Sequence, residues 1–390
     1  MIRGGAATQN ERKKSQGGKR LLRLIQKGVH KVNRLLKSKW FVFSVLVVAS
    51  FVLFVGACGE DSTTGGDTAS SETTATTGSG GASDAGAAAD VGPKKIGFVT
   101  ICAVCTGEAR AVSGLQEACD EAGWELLVTD GAGDFQKIIS SIETYINEGC
   151  DAIVTGAIDP APLGKVIKQC NDKGIPFIAE SGLWVPGVDL QVGMDSYHMG
   201  QIQGSYIVDR LEGEGDVMMI TYRPTRNVAM REDIVKQILS DYEDIEITYR
   251  HEVDINNIIE DSRKAVETQL LRNPDLDAIW CGWDDMCTGA AAAVAAAGRD
   301  DIFMIGNDAG EEALNAIRNP DSPWDITVSV DYETIGKTII SELNKIFAGE
   351  KLDYKNVFVE LPMISRNNGR LPAEGESLPS VDTYTPETAK

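Results

Sequence analysis

The chain has 390 residues, of which 43% are hydrophobic and 24% are charged, proportions that are normal for a globular protein with more than one domain. It carries 58 acidic and 37 basic residues, which gives a formal net charge of −21. Such an acidic chain is not expected to bind nucleic acid, because phosphate groups must be neutralised by lysine and arginine.

The first 57 residues differ from the rest in charge and hydropathy. They contain twelve of the basic residues and one of the acidic ones, and they end in an uncharged apolar stretch, WFVFSVLVVASFVLFVGA, over residues 40–57. This arrangement predicts an export signal. Its last residues, Val55-Gly56-Ala57-Cys58, resemble the lipobox of bacterial lipoproteins, which implies lipidation of Cys58 and a lipid anchor in the cell membrane. The alternative is an uncleaved signal anchor, since 18 apolar residues nearly span a bilayer.

Both interpretations place everything after Cys58 outside the cytoplasm. Residues 1–39 have leucine and isoleucine at helical spacing among basic residues, a pattern typical of a helix that lies on an anionic membrane. The alternatives are a start codon assigned too early or a long leader without a separate function. Residues 58–93 consist almost entirely of Ser, Thr, Gly, Ala and Asp. That composition predicts a flexible tether between the lipid and the folded part.

Eight cysteines leave seven once Cys58 is lipidated, so at least one is a free thiol or forms an intermolecular bond. Cys102 and Cys105 form a C-x-x-C motif in the predicted loop after the first strand. Without a second C-x-x-C or a nearby histidine, the pair indicates a small disulfide or two packed thiols rather than a zinc or redox site.

From residue 94 onward, short apolar runs alternate with segments of helical periodicity. Strands are predicted at 96–100, 124–129, 151–157, 175–180, 190–194, 216–220, 245–250, 277–282, 302–307, 326–330 and 356–360. Helices are predicted up to residue 122 and at 135–148, 162–172, 198–211, 227–240, 257–272, 285–297, 311–318 and 333–347.

Strands that alternate with helices of this length predict parallel sheets, because parallel neighbours need a crossover connection. The strands are apolar almost throughout, so both faces of each sheet are expected to be covered. The number of units is too large for one sheet and the pattern restarts near Asp195. We therefore predict an α/β fold with two doubly wound lobes. Ligands of such folds bind at the carboxyl ends of the strands, and those ends are consistently polar here.

Over residues 94–360 the chain resembles the ribose-binding-protein family of periplasmic sugar-binding proteins. The likeness rests on four stretches in order: the first strand with its helix GLQEACDEAGWEL, then AVETQLLRNPDLDAIWCGWDDMCTGAAAAVAAAG, IGNDAGEEALNAI and VSVDYETIGKTIISEL. The resemblance implies the periplasmic binding protein type I fold, in which three crossing strands form a hinge between the lobes. It assigns residues 94–195 and 331–357 to the N-terminal lobe and residues 196–330 and 358–388 to the C-terminal lobe.

The resemblance also implies ligand-binding residues between the lobes. Position by position, these are Glu180, Arg231, Trp283, Asp284, Asn307, Asp308 and a residue at or next to Asp331. The family's aromatic residues in the first loop are replaced by Cys105-Thr106-Gly107-Glu108, and Glu108 is a further candidate. Because a sugar presents a polar rim and an apolar face, Trp283 or Trp184 is expected to supply the missing apolar surface.

Each candidate also has a purely structural interpretation. Asp284 and Asp308 could cap the helices that follow them, and Arg231 could pair with Glu232 or Asp233. Glu180 and Asp331 could form hydrogen bonds at the hinge, and either tryptophan could pack in a core or on the surface.

The leading functional interpretation is a solute-binding lipoprotein that delivers a small polar ligand, a sugar by expectation, to the permease of an ABC transporter. It is expected to act as a monomer without cofactor or metal. A sensor subunit for a receptor kinase or chemoreceptor is the alternative, and the surplus of carboxylates also fits a cationic or amino-bearing ligand. A DNA-binding repressor is disfavoured by the export segment. An enzyme is disfavoured because neither G-x-S-x-G nor H-E-x-x-H occurs.

Overall fold

The structure, a computed structural model, describes residues 91–385. The predicted leader, the apolar segment 40–57, the lipidation site Cys58 and the tether up to residue 90 lie outside the described residues. Within residues 91–385, no helix has both the length and the apolar character needed to cross a membrane.

The described residues form thirteen strands and nine α-helices, close to the predicted alternation. The strands are β1 Lys95–Thr100, β2 Glu125–Asp130, β3 Ala152–Gly156, β4 Phe177–Glu180, β5 Leu190–Met194, β6 Glu214–Thr221, β7 Asp244–Glu252, β8 Leu276–Cys281, β9 Phe303–Asp308, β10 Trp324–Ser329, β11 Asn356–Val359, β12 Met363–Ser365 and β13 Thr383–Tyr384. The helices are α1 Thr106–Ala122, α2 Phe135–Asn147, α3 Gly164–Asp172, α4 Ser196–Leu211, α5 Arg226–Ser240, α6 Ile258–Arg272, α7 Asp284–Ala296, α8 Glu311–Arg318 and α9 Tyr332–Phe347.

Side-chain caps fix the starts of several helices at the positions where the strands end. Asp134 accepts hydrogen bonds from two main-chain N–H groups at the start of α2, and Asp195 does the same for α4. Such carboxylates satisfy N–H groups that have no partner within the helix. The turn after each strand is therefore short, and the helix begins next to the carboxyl end of its sheet.

The strands form two separate sheets, each covered by helices. The first has seven strands in the order β13-β11-β5-β4-β3-β1-β2, and the second has six in the order β12-β10-β9-β8-β6-β7. All neighbouring strands are parallel except at one edge of each sheet. There β12 pairs antiparallel with β10, and β13 pairs antiparallel with β11. The two predicted doubly wound lobes are confirmed, with two short antiparallel edge strands that were not predicted.

The carboxyl-terminal part of the chain departs from the predicted lobe boundary. Strand β11 pairs along its whole length with β5 of the first sheet, and Val357 and Val359 are buried there. The boundary predicted after residue 357 thus falls inside a strand. Residues 363–365 lie in the second sheet, but residues 383–384 return to the first, so 358–388 is not one C-terminal lobe segment. This return adds a fourth connection to the three implied by the resemblance.

Helices α1 and α9 pack against each other in the first lobe with their backbones in near contact. A Cβ atom at Gly114 would lie 2.5 Å from the main-chain oxygen of Tyr332, and one at Gly336 would collide with the main chain of Gly114. Only glycine permits this approach. As a result, the first turn of α1 and the first residue of α9 lie side by side at the inter-lobe cleft.

Candidate functional site

A cleft lies between the lobes, at the carboxyl ends of strands from both sheets. It contains about 420 Å3 of empty space, including the part that opens to solvent. Its walls combine apolar, amide, hydroxyl and charged groups from both lobes. The lining residues are Ile101, Cys105, Gly107, Glu108, Ala157, Met194, Thr225, Asn227, Val228, Arg231, Ile255, Trp283, Asp308 and Tyr332.

Arg231 is a buried cation in the wall of this cleft. Its side chain is 3% exposed, and its Nη1 donates to the sulfur atoms of Met199 at 2.9 Å and Met194 at 3.7 Å. Its Nε has no hydrogen-bond partner. Burial lowers the pKa of the guanidinium, and the carboxylates of Asp308 and Asp284 oppose that shift. Thioethers are weak acceptors, so Arg231 has donor capacity available for a ligand oxygen.

The predicted alternative partners of Arg231 are bound elsewhere. Glu232 accepts from Arg250 at 2.7 Å and from Arg223 at 3.1 Å, and Arg223 also pairs with Asp233 at 2.8 Å. These ion pairs leave Arg231 without a neighbouring carboxylate on its own helix.

Asp308 ends strand β9 with its carboxylate held from two sides. Its Oδ1 accepts from Asn307 Nδ2 at 3.0 Å and from the Tyr332 hydroxyl at 3.1 Å. Its backbone has a φ of 105°, a region that non-glycine residues rarely adopt and that is typical of functional sites. Burial raises the pKa of Asp308 to about 6, although the positive charge of Arg231 counteracts it.

Glu108 and Glu180 bring two more carboxyl groups to the first-lobe side. Glu108, in the first turn of α1, accepts from the Thr100 hydroxyl, and Glu180, at the end of β4, accepts from the Ser181 hydroxyl. Burial raises the pKa of Glu108 to about 7, and burial together with the charge of Glu108 raises the pKa of Glu180 well above its usual range. The pair therefore retains a proton near neutral pH.

Trp283 is the largest apolar side chain among the residues that line the cleft. It is 7% exposed, and its Nε1 donates to Asp285 Oδ2 at 3.0 Å. The ring of Tyr222 packs edge-on against it, with centroids 6.3 Å apart. These contacts fix the indole ring beside Ile255 and Val228, which also line the cleft.

The two lobes are in contact across the cleft, so the structure is closed. Thr106, at the start of α1, donates from its main-chain N and its Oγ1 to Asp285 at 2.9 and 2.5 Å. Arg110 donates to the main-chain oxygen of Asp308 and lies over the ring of Tyr332, 5.4 Å from its centroid. Because α1 belongs to the first lobe and Asp285 and Asp308 to the second, the hydrogen bonds of Thr106 and Arg110 join the two lobes.

Of the residues predicted to bind a ligand, Arg231, Trp283 and Asp308 line the cleft, as does the further candidate Glu108. Glu180 is buried, and the charge of Glu108 acts on it. Asn307 and Asp284 are not among the lining residues.

Asn307 and Asp284 are buried, and their side chains form hydrogen bonds within the protein. Asn307 holds Asp308, and Asp284 accepts from Gly310 N at 3.0 Å and Thr327 Oγ1 at 3.0 Å. Helix α7 begins at Asp284 itself, so this residue does not act as the predicted cap.

The structure does not bring Asp331 to the cleft. Its carboxylate caps α9 by accepting from Thr334 N at 2.9 Å, and it also accepts from Val381 N at 3.1 Å. The next residue, Tyr332, reaches the cleft instead, because α9 begins there and turns its side chain toward Asp308. Trp184 is 38% exposed and bonded to Val188 O, away from the lining residues.

Some lining residues were not identified from the sequence. Thr225 and Asn227 lie between the end of β6 and the first turn of α5, at one of the polar strand ends where ligands are expected to bind. Tyr332 was missed by one residue. Met194 and Ile255 carried no signal, since apolar residues after a strand are typical of core packing.

Cys102 and Cys105 form a disulfide, one of the two predicted alternatives, and Cys105 lines the cleft immediately before α1. The other cysteines of the described region are free and buried: Cys119, Cys150, Cys170, Cys281 and Cys287. Within residues 91–385, no cluster of three or more His, Cys, Asp or Glu side chains is arranged to hold a metal ion.

Comparison with known proteins gives consistent matches over this folded region. The family described as periplasmic binding protein domain matches residues 96–351. The ribose import binding protein of Bacillus subtilis is 24% identical over 244 residues, which are 61% of this chain and 77% of that protein. The xylitol-binding protein of Mycolicibacterium smegmatis is 26% identical over 286 residues, covering 72% of this chain and 80% of that protein. The crystal structure of an ABC sugar transporter subunit from Rhodobacter sphaeroides has 25% identity and a TM-score of 0.66, covering 70% of this chain and 99% of that one.

Proposed function

This chain belongs to the periplasmic binding protein domain family, and on that premise we propose that it binds one small polyhydroxylated ligand, a sugar or polyol, between its lobes for import by an ABC transporter. The named relatives support this proposal, since they are binding proteins for ribose import and for xylitol. The ligand stabilises the closed form because it contacts both lobes at once.

One observation carries the proposal: the cleft holds a buried cation with an unused donor. Arg231 Nε has no partner, and Asp308 stands in the same cleft with its carboxylate already oriented. A buried N–H group without an acceptor costs free energy, which a ligand hydroxyl oxygen would recover. Trp283 in the same wall offers the apolar surface that one face of a sugar ring or a polyol chain requires.

The cellular setting of this activity is the finer part of the proposal. We propose that Cys58 carries a lipid, that residues 58–93 tether the folded part to the membrane and that the protein acts as a monomer outside the cytoplasm. The sequence of residues 40–58 supports the export and lipidation steps. Mass spectrometry of the membrane fraction would test them, since an unmodified Cys58 or an intact leader would contradict lipidation.

Ligand binding is tested with a panel of pentoses, hexoses and polyols. A compound that binds the native protein raises its melting temperature by mass action. Replacement Arg231→Met keeps an unbranched apolar stem and removes the donors, so we expect any shift to be lost. Arg272→Met, at an exposed arginine of α6, is the matched control and retains the shift. If Arg231→Met binds as tightly as the parent, the proposed site is wrong.

Lobe closure has its own measurement. Small-angle scattering should show a smaller radius of gyration at ligand saturation than without ligand. An unchanged radius at saturation would contradict closure while leaving binding in place.

A further inference from the structure

Glu108 and Glu180 form a pair of buried carboxyl groups whose hydrogen bonds within the protein are incomplete. Glu108 is 6% exposed and stands in the cleft wall, whereas Glu180 is 2% exposed and does not line the cleft. Thr100 and Ser181 each donate one hydroxyl hydrogen bond to this pair, and Oε2 of Glu180 has no partner. Buried oxygens of this kind favour a donor from outside the protein, because the lost hydration is otherwise uncompensated.

Acidic groups outnumber cations around this pair. The charges that raise the pKa values of Glu108 and Glu180 are each acidic, and they include that of Asp308. Arg231 is opposed chiefly by Asp308 and Asp284, so its positive charge is already matched within the second lobe. Five carboxyl groups lie in this region, against two arginines: Glu108, Glu180, Asp284, Asp285 and Asp308 against Arg110 and Arg231.

Building on the proposed function, we infer that the ligand is a sugar or polyol with a protonated amino group, and that the ammonium group binds at Glu108. Its N–H groups donate to the Glu108 carboxylate, while ligand oxygens accept from Arg231 on the second-lobe wall. Hydrogen bonds between two ionised groups are roughly twice as strong as neutral ones. A neutral hydroxyl at the same place would leave the carboxylate charge buried without compensation.

The protonation of this pair makes the inference testable by pH. The titratable and charged groups around Glu108 are Glu180 on β4, Arg110 on α1, Arg231 on α5, Asp285 on α7, Asp308 on β9 and Tyr332 on α9. At about pH 5, Glu108 is mostly protonated and offers no negative charge, and at about pH 8 it is ionised. An ammonium ligand should therefore bind more tightly as the pH rises through this range, whereas a neutral ligand should not.

The experiment compares matched pairs that differ in one amino group for one hydroxyl. Calorimetry with glucosamine against glucose, glucamine against sorbitol and an amino-inositol against myo-inositol gives the preference directly. In at least one pair we expect the amino compound to bind about tenfold tighter at pH ~7.5, from the difference between charged and neutral hydrogen bonds. That preference should shrink at pH ~5 because Glu108 is then protonated.

Two variants locate the effect. Glu108→Gln keeps the shape of the side chain and removes its charge, so it should abolish the amine preference and its pH dependence. Glu117→Gln, at an exposed position on the same helix, is the control and should retain both. Circular dichroism shows whether each variant is folded.

The outcomes separate this inference from the proposed function. If neutral members bind as tightly as their amino partners, the inference fails and binding of polyols stands. If an amine preference persists in folded Glu108→Gln, the assignment to Glu108 is wrong. If no compound of either kind binds, the inference and the sugar or polyol class fail together.

Discussion

The contact between Thr106 and Asp285 leads to the most direct prediction about lobe closure. Asp285 accepts two hydrogen bonds from Thr106 across the cleft but is not among the residues that line it. Replacement Asp285→Asn preserves the size of the side chain and removes its charge. The change should destabilise the closed form and weaken the hydrogen bond that Asp285 accepts from Trp283 Nε1.

The magnitude follows from the number and type of hydrogen bonds. A hydrogen bond to a charged group contributes about 1.5–3 kcal/mol, and the lower part of this range applies because Asp285 is only partly buried. Asparagine retains one acceptor, so the closed form should lose about 1.5–3 kcal/mol in total. Apparent affinity scales with the closed population, which corresponds to a dissociation constant roughly 10- to 100-fold higher.

Calorimetry with the best-binding compound measures the affinity, and scattering measures the radius of gyration with and without it. At saturation the variant should close like the parent, since enough ligand still selects the closed form. Asp172→Asn removes an exposed carboxylate that pairs only with Lys168, and it serves as the control with unchanged affinity. An unaltered dissociation constant for Asp285→Asn would refute the role assigned to this contact.

Three further predictions concern stability. The pKa of Glu108 is about 7 in the folded protein and near 4.5 in the unfolded chain, so the folded protein binds more protons between these pH values. The unfolding free energy should therefore fall by up to about 3 kcal/mol as the pH rises from 4.5 to 7. Denaturant unfolding of Glu108→Gln should show a weaker dependence on pH. Gly114→Ala should lower the unfolding free energy by about 1–3 kcal/mol through overpacking against α9, whereas Gly164→Ala, which has open space around its Cβ, should be neutral or slightly stabilising. Replacing Cys102 and Cys105 by serine should cost about 2 kcal/mol, and a reducing agent should lower the melting temperature of the parent but not of that variant.

The alternation of strands and helices could be predicted from the sequence because it depends on local periodicity. Helix α8 and strand β5 were located to the residue, and most other boundaries fell within two residues. The strand β13 could not be predicted, since two residues carry no periodicity and their pairing depends on where β11 ends. The lobe boundary predicted after residue 357 was misplaced because the pairing of β11 with β5 and β13 is also not visible in the local periodicity.

The candidate site was predicted in part, and the reason differs among residues. Strand ends and the family resemblance indicate where polar groups gather, and the resemblance assigned Glu180, Arg231 and Asp308 to one site, where Asp308 interacts with the other two. They do not show which polar groups are satisfied by the protein itself. Asp284 and Asp331 are occupied by main-chain N–H groups of distant segments, and only the folded structure brings those segments together.

The returning carboxyl-terminal segment sets a limit on how far the molecule can swing open. Leu371 and Leu378 pack against a small apolar cluster of the second lobe, while Val381 donates to Asp331 of the first. Only three residue steps separate Leu378 from Val381, a reach of ~10 Å when fully extended. The segment therefore limits how far the second lobe can move away from the first at this point.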